Sequence, residues 1–143
     1  MDGPVVLDTS VVIKWFRQGE VLASHALALR DAYLSGQVVV LVPSLLAYDL
    51  ANVLRYKNDL TTVQIEDAVQ SLFDMMLGWV LPSATVMRRA VVIARECDTT
   101  VYDASFVALA EALNATFITA DERLTHRLMA FPFVRFLGET EVA

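Results

Sequence analysis

Lysine is almost missing from this chain: Lys14 and Lys57 are the two, set against 17 aspartates and glutamates and a formal net charge of −6. A protein that coats nucleic acid by neutralising phosphates needs a basic stripe. The sequence has none, which weighs against that class. An enzyme acting on nucleic acid is not excluded, because an acidic catalytic centre accounts for part of the negative charge. Arg55, Lys57, Arg88, Arg89, Arg123 and Arg127 could form local phosphate contacts, although each taken singly is better read as part of a solvated helix face. Cysteine is nearly missing too. Cys97 alone excludes an internal disulfide, fits a reducing compartment and falls in phase with Val86, Ala90 and Ile93 as a core filler. No apolar run approaches the ~20 residues of a membrane helix, and residues 38–46 are broken by Pro43. Asp2 and Asp8 interrupt the start of the chain, where a signal peptide needs a basic region and an unbroken apolar core. A cytoplasmic protein with no membrane association is expected. Repeats, low-complexity tracts and linkers are absent as well, which leaves residues 1–143 as a single domain.

What is present is apolar. The hydrophobic fraction is 56% and the mean hydropathy +0.50, high for so small a soluble domain. Such a chain is expected to expose a sizeable apolar patch used for association. Strands are predicted at residues 5–7, 38–42, 79–81, 116–119 and 133–136. Helices are predicted at 21–35, 43–57, from Thr61 or Thr62 onward, and at 83–97, 102–113 and 121–129. Ser10 is placed to cap a helix after the first strand, Pro43 to open the helix after the second, and Glu66 to close a capping box. Strands alternating with helices predict a three-layer α/β/α sandwich around a short, mainly parallel sheet.

Four aspartates interrupt this pattern. Asp8 ends the run Pro4-Val5-Val6-Leu7, and Asp121 ends Thr116-Phe117-Ile118-Thr119-Ala120. In a parallel α/β fold ligands bind beyond the carboxyl ends of the strands, so these two should share one rim. Asp49 and Asp103 lie on apolar helical stretches, Asp49 one turn from Leu45, Leu46 and Val53 on the face expected to be buried. Converging carboxylates in an apolar setting repel and raise one another's pKa unless cations lie between them. Each acid also has a plainer description. Asp8 suits a strand-end turn, Asp103 the first turn of a helix, Asp121 an N-cap, and Glu122 a first-turn acid rather than an outer ligand. His25 and His126 are read as structural or surface residues, since hard cations take oxygen ligands.

The motifs Val6-Leu7-Asp8-Thr9-Ser10-Val11, Val42-Pro43 through Asp49, Asn52 and Leu54, Tyr102-Asp103-Ala104-Ser105-Phe106-Val107-Ala108-Leu109-Ala110 and Thr119-Ala120-Asp121 occur in order along nearly the whole chain. In this register the chain resembles the PIN domain, most closely the VapC-type ribonuclease toxins. The resemblance implies a PIN-like fold and an endoribonuclease dependent on Mg2+ or Mn2+. It implies that Asp8, Asp49, Asp103 and Asp121 are the catalytic, metal-binding acids. Thr119, Ser10 and Asn52 are expected to support them. It further implies an RNA substrate, a homodimer and a cognate VapB-type antitoxin. One departure stands out: the position of Asp49 is usually glutamate in the family, and aspartate is shorter by roughly 1.5 Å. Two rival readings are a non-catalytic PIN-like interaction module and a housekeeping RNA-processing nuclease. A phosphatase using Asp8 as nucleophile is disfavoured, because such enzymes need an aspartate where this chain has Ser10.

Overall fold

The computed structural model describes residues 3–141. Five strands, β1 (Val5–Leu7), β2 (Val40–Pro43), β3 (Gly78–Val80), β4 (Thr116–Thr119) and β5 (Val134–Phe136), form one sheet of order β3-β2-β1-β4-β5. Every pairing is parallel. Among the described residues seven α-helices flank it: α1 (Thr9–Val12), α2 (Ala23–Leu34), α3 (Leu45–Arg55), α4 (Thr62–Asp74), α5 (Ala84–Cys97), α6 (Val101–Ala112) and α7 (Glu122–Arg127). The expected three-layer α/β/α fold is therefore present, with a sheet that is wholly rather than mainly parallel.

The central strand explains why both faces must be covered. Side chains alternate along a strand, yet Val5, Val6 and Leu7 are all fully buried. Helix α6 does much of the covering. It packs on α5 and against β1, β2 and β4, and its residues from Ala104 to Ala110 are buried without a break. With three alanines and a serine among them, that helix sits close to the sheet and carries Asp103 at its upper end.

Several boundaries differ from expectation for local reasons. Pro43 ends β2, paired with Val80, instead of opening a helix; as the last strand residue its missing N–H costs no interior ladder bond. The helix beyond it starts at Leu45 after Ser44. Strand β3 starts at Gly78, one residue earlier than predicted. A Cβ there would stand 2.5 Å from Leu41 Cδ2 and 3.0 Å from the Val40 carbonyl oxygen, so glycine lets β3 approach β2 without displacing either. Val39 is 58% exposed and lies outside β2. The capping box on α4 pairs Thr61 with Gln64, not Glu66, because the reciprocal bonds require the third helical residue. Ser10 is the second residue of α1, whose N-cap position belongs to Asp8.

The expected exposed apolar surface is also there. A groove of about 520 Å3 runs between the start of α3, the end of β3 and helices α5 and α6. Tyr48, Leu81 and Tyr102 line it and are 77%, 80% and 65% exposed. Among the described residues no helix is long and apolar enough to cross a membrane.

Candidate metal centre

Strand order 3-2-1-4-5 places the topological switch between β1 and β4, since the chain leaves β1 towards β2 on one side and returns to β4 on the other. Crevices at such points, beyond the carboxyl ends of the strands, are where α/β sheets bind ligands. Asp8 follows β1 directly and its backbone N–H bonds the Ile118 carbonyl of β4 at 3.0 Å. Asp121 lies two residues beyond β4 and caps α7, its Oδ1 accepting from Leu124 N–H at 3.1 Å. Both strand-end aspartates thus border the crevice.

Asp8 is only 5% exposed. The Ser10 hydroxyl donates to its Oδ2 at 2.7 Å and the Thr119 hydroxyl, fully buried, donates to the same oxygen at 2.8 Å. Ser10 Oγ in turn accepts from Ala120 N–H at 2.9 Å, and Thr119 Oγ1 accepts from Asp121 N–H at 3.1 Å. Two hydroxyls therefore stitch β1, α1 and the end of β4 together around one carboxylate oxygen. Ser10 works here by turning its side chain into the cluster, not by capping.

Asp103 occupies the first turn of α6, where the Thr100 hydroxyl caps its N–H at 3.0 Å. Asp49 is half-buried on α3, and its Oδ2 accepts from the Thr9 hydroxyl at 2.7 Å. Thr9 is 4% exposed and was passed over in the sequence, because nothing local marks a bond spanning 40 residues. Asn52 is exposed and makes no hydrogen bond to these acids among the described residues.

The carboxylates feel one another. Burial pushes the Asp8 carboxyl up to about 6 from 3.8; its two hydroxyl partners pull the other way, and the charges of Asp103 and Asp49 add to the rise. Burial also raises Asp103, reinforced by Asp121 and Asp49 and opposed by Thr100 and Arg127. The four aspartates predicted from the sequence are thus linked pairwise by their charges, Asp8 with Asp103 and Asp49, and Asp103 with Asp121 and Asp49, whereas Asn52 has no hydrogen bond to any of them among the described residues.

The donor set tests well for a hard divalent cation. It is all oxygen, and Asp8, Asp49 and Asp121 each spend one carboxylate oxygen on a structural hydrogen bond, leaving the second without a hydrogen bond among the described residues. Among the described residues no three acid, His or Cys side chains stand close enough to enclose one ion by themselves. His126 is exposed on α7, and His25 is half-buried with an unpartnered Nδ1, away from the acids on α2. Because Thr9 orients Asp49, Thr9→Val should weaken Mn2+ binding by roughly 10-fold, the scale of a lost outer partner. Calorimetric titration of the variant checks this; unchanged affinity would detach Thr9 from the site.

Comparison with known proteins bears on the family and the fold. The PIN domain family model matches residues 5–128. Among solved structures, PAE2754 from Pyrobaculum aerophilum superposes with a TM-score of 0.65 at 20% identity, covering 96% of this chain and 92% of its own. A chain of a toxin–antitoxin complex from Klebsiella pneumoniae gives 0.68 at 16%, covering 96% and 99%. VapC20 from Mycobacterium tuberculosis, a sarcin-ricin loop cleaving toxin, gives 0.67 at 12%, covering 85% and 93%. No match was found among curated proteins. With the family model spanning most of its length and the acids at the switch point of a parallel sheet, the chain belongs to the PIN domain family.

Proposed function

We propose that this PIN domain is a Mg2+- or Mn2+-dependent endoribonuclease, the toxin of a VapBC-type pair. One observation carries the reading: a buried aspartate at the sheet's switch point, held through one oxygen by Ser10 and Thr119, with two further carboxylates, Asp103 and Asp49, close enough to oppose its ionisation. A protein gains nothing by concentrating negative charge in a crevice unless a cation enters. Asp8, Asp103, Asp121 and Asp49 would hold that cation, and a bound Mg2+ or Mn2+ would supply a nucleophilic water near neutral pH and offset charge on the scissile phosphate. The chain's own groups do the rest. Ser10 and Thr119 fix the Asp8 carboxylate, Thr9 fixes Asp49, and Leu124 N–H fixes Asp121, so the ligating oxygens are set before binding.

RNA as substrate and an antitoxin as partner come from the same reading. The Klebsiella pneumoniae relative comes from a toxin–antitoxin complex and VapC20 is a sarcin-ricin loop cleaving toxin, and exposed loops are where proteins usually read RNA. The apolar groove is surface of the sort that association buries, which supports a homodimer.

The purified protein is expected to cut structured RNA in Mn2+ or Mg2+ and to stop when EDTA is added. Cleavage that survives chelation would overturn the metal-dependent mechanism. A second reading, a non-catalytic PIN module, draws on Asp49 in place of the family's usual glutamate and on the wide spacing of the acids. Absence of Mn2+ binding at millimolar concentration, together with intact RNA, would favour it.

A further inference from the structure

We propose that Arg127 is the residue that seats the RNA backbone at this site, its guanidinium meeting a phosphate beside Asp103. The inference rests on the nuclease reading and adds to it the group that brings a polyanion to an acidic crevice.

The difficulty it answers is one of sign. The chain carries a net charge of −6, and its candidate centre is made of four carboxylates. A phosphodiester approaching that centre is repelled before any cation helps, so a fixed positive charge at the rim changes the encounter. Arg127 supplies one. It stands at the end of α7, the helix that Asp121 opens, and reaches the turn between α5 and α6 that leads into Asp103.

Its position is fixed rather than waving. Arg127 Nη1 donates to the Asp98 carbonyl oxygen at 2.7 Å. Asp98 is the left-handed residue that ends α5 (φ 54), and Thr100, two residues on, caps α6 ahead of Asp103. Arg127 therefore reaches from the helix that begins at one acid to the turn that leads into another. A guanidinium has five N–H donors, and this contact uses one. The side chain is exposed, so the remaining donors face solvent with their orientation already set, which lowers the ordering cost of gripping a phosphate. Arg123 offers the comparison: the same charge on the same helix one turn earlier, also exposed, without the Asp98 anchor.

Steady-state RNA cleavage in Mn2+ across a range of salt, with Arg127→Ala, Arg127→Lys and Arg123→Ala, tests the assignment. Arg127→Ala should raise KM about tenfold with kcat within about threefold, and should flatten the salt dependence by about one counterion. Arg127→Lys should restore the salt slope but only part of the KM, because an ammonium lacks the planar fork. Arg123→Ala should leave KM within about twofold, and Mn2+ affinity measured without RNA should be unchanged in Arg127→Ala. A fall in kcat or in Mn2+ affinity at constant KM would overturn the proposal and leave Arg127 as a brace for the α5–α6 turn. Equal effects from Arg123→Ala and Arg127→Ala would overturn it in favour of a diffuse field. Failure of the unaltered protein to cleave RNA would refute the nuclease reading itself, an outcome distinct from either.

Discussion

Asp103→Asn should abolish RNA cleavage, by about a thousandfold or more, without destabilising the fold. The activity loss follows the scale seen when one member of a cooperating catalytic set is removed. The stability expectation comes from the environment. Asp103 is half-buried, and burial together with Asp121 and Asp49 disfavours its ionised form in the metal-free protein. Replacing the charge by an amide of the same shape relieves that repulsion, while losing roughly 0.3–1 kcal/mol of interaction with the α6 dipole. The cap from Thr100 to its N–H is a backbone bond and survives the change. Melting temperature should therefore hold or rise as activity disappears. A core residue behaves otherwise: truncating it lowers both together. If Asp103→Asn kept its cleavage rate, or lost activity only in proportion to lost folded protein, Asp103 would be a helix-end acid and nothing more.

The same environment explains how much of the protein was legible in its sequence. Strand-end acids were readable because β1 and β4 are short apolar runs that stop at, or just before, an aspartate, and a buried parallel strand tolerates no carboxylate within it. The alternation of strands and helices gave the layering. The strand order was not readable, since nothing in residues 5–7 says that β1 lies at the centre with β2 and β4 on either side. That order makes the site, because it sets Asp8 beside the Thr119 that precedes Asp121.

Ser10, Pro43 and Glu66 were placed by local rules for helix starts; tertiary pairing displaced the first two, and the geometry of the capping box itself displaced the third. The neighbouring strand drew Pro43 into β2, the buried carboxylate drew the Ser10 hydroxyl inward, and reciprocal bonding with Thr61 selected Gln64 over Glu66. Thr9 was passed over because its partner is 40 residues away, and a hydroxyl beside a strand end looks like any turn residue. Asn52 illustrates the opposite error. It is one helical turn from Asp49, yet it faces solvent.

Stability of the metal-free protein should fall as pH rises from about 4 to 6, and divalent cation should restore it. The Asp8 carboxyl is pushed up to about 6, chiefly by burial, against 3.8 in the unfolded chain. Below about pH 4 the group is protonated in both states and contributes no difference. Between the two values the folded chain keeps a proton that the unfolded chain has released, so folding is progressively disfavoured as pH climbs. Above about 6 both are ionised and the deficit stays constant, at on the order of 3 kcal/mol, equivalent to roughly 6–12 °C in melting temperature for a domain of this size. Exposed acids that gain a partner on folding, such as Asp59 with Arg17, work with the opposite sign but are screened by solvent. Asp8→Asn isolates the effect, since it removes one titration and leaves the rest. Its stability curve should lie above that of the unaltered protein at pH 7.5 and converge with it near pH 4. Mn2+ at a hundredfold excess over its dissociation constant should return about 2.7 kcal/mol to the unaltered protein. It should do little for Asp8→Asn, whose amide no longer offers an anionic ligand. Parallel pH curves for the two proteins, with equal stabilisation by Mn2+, would mean that the Asp8 charge is neither strained in the fold nor relieved by metal.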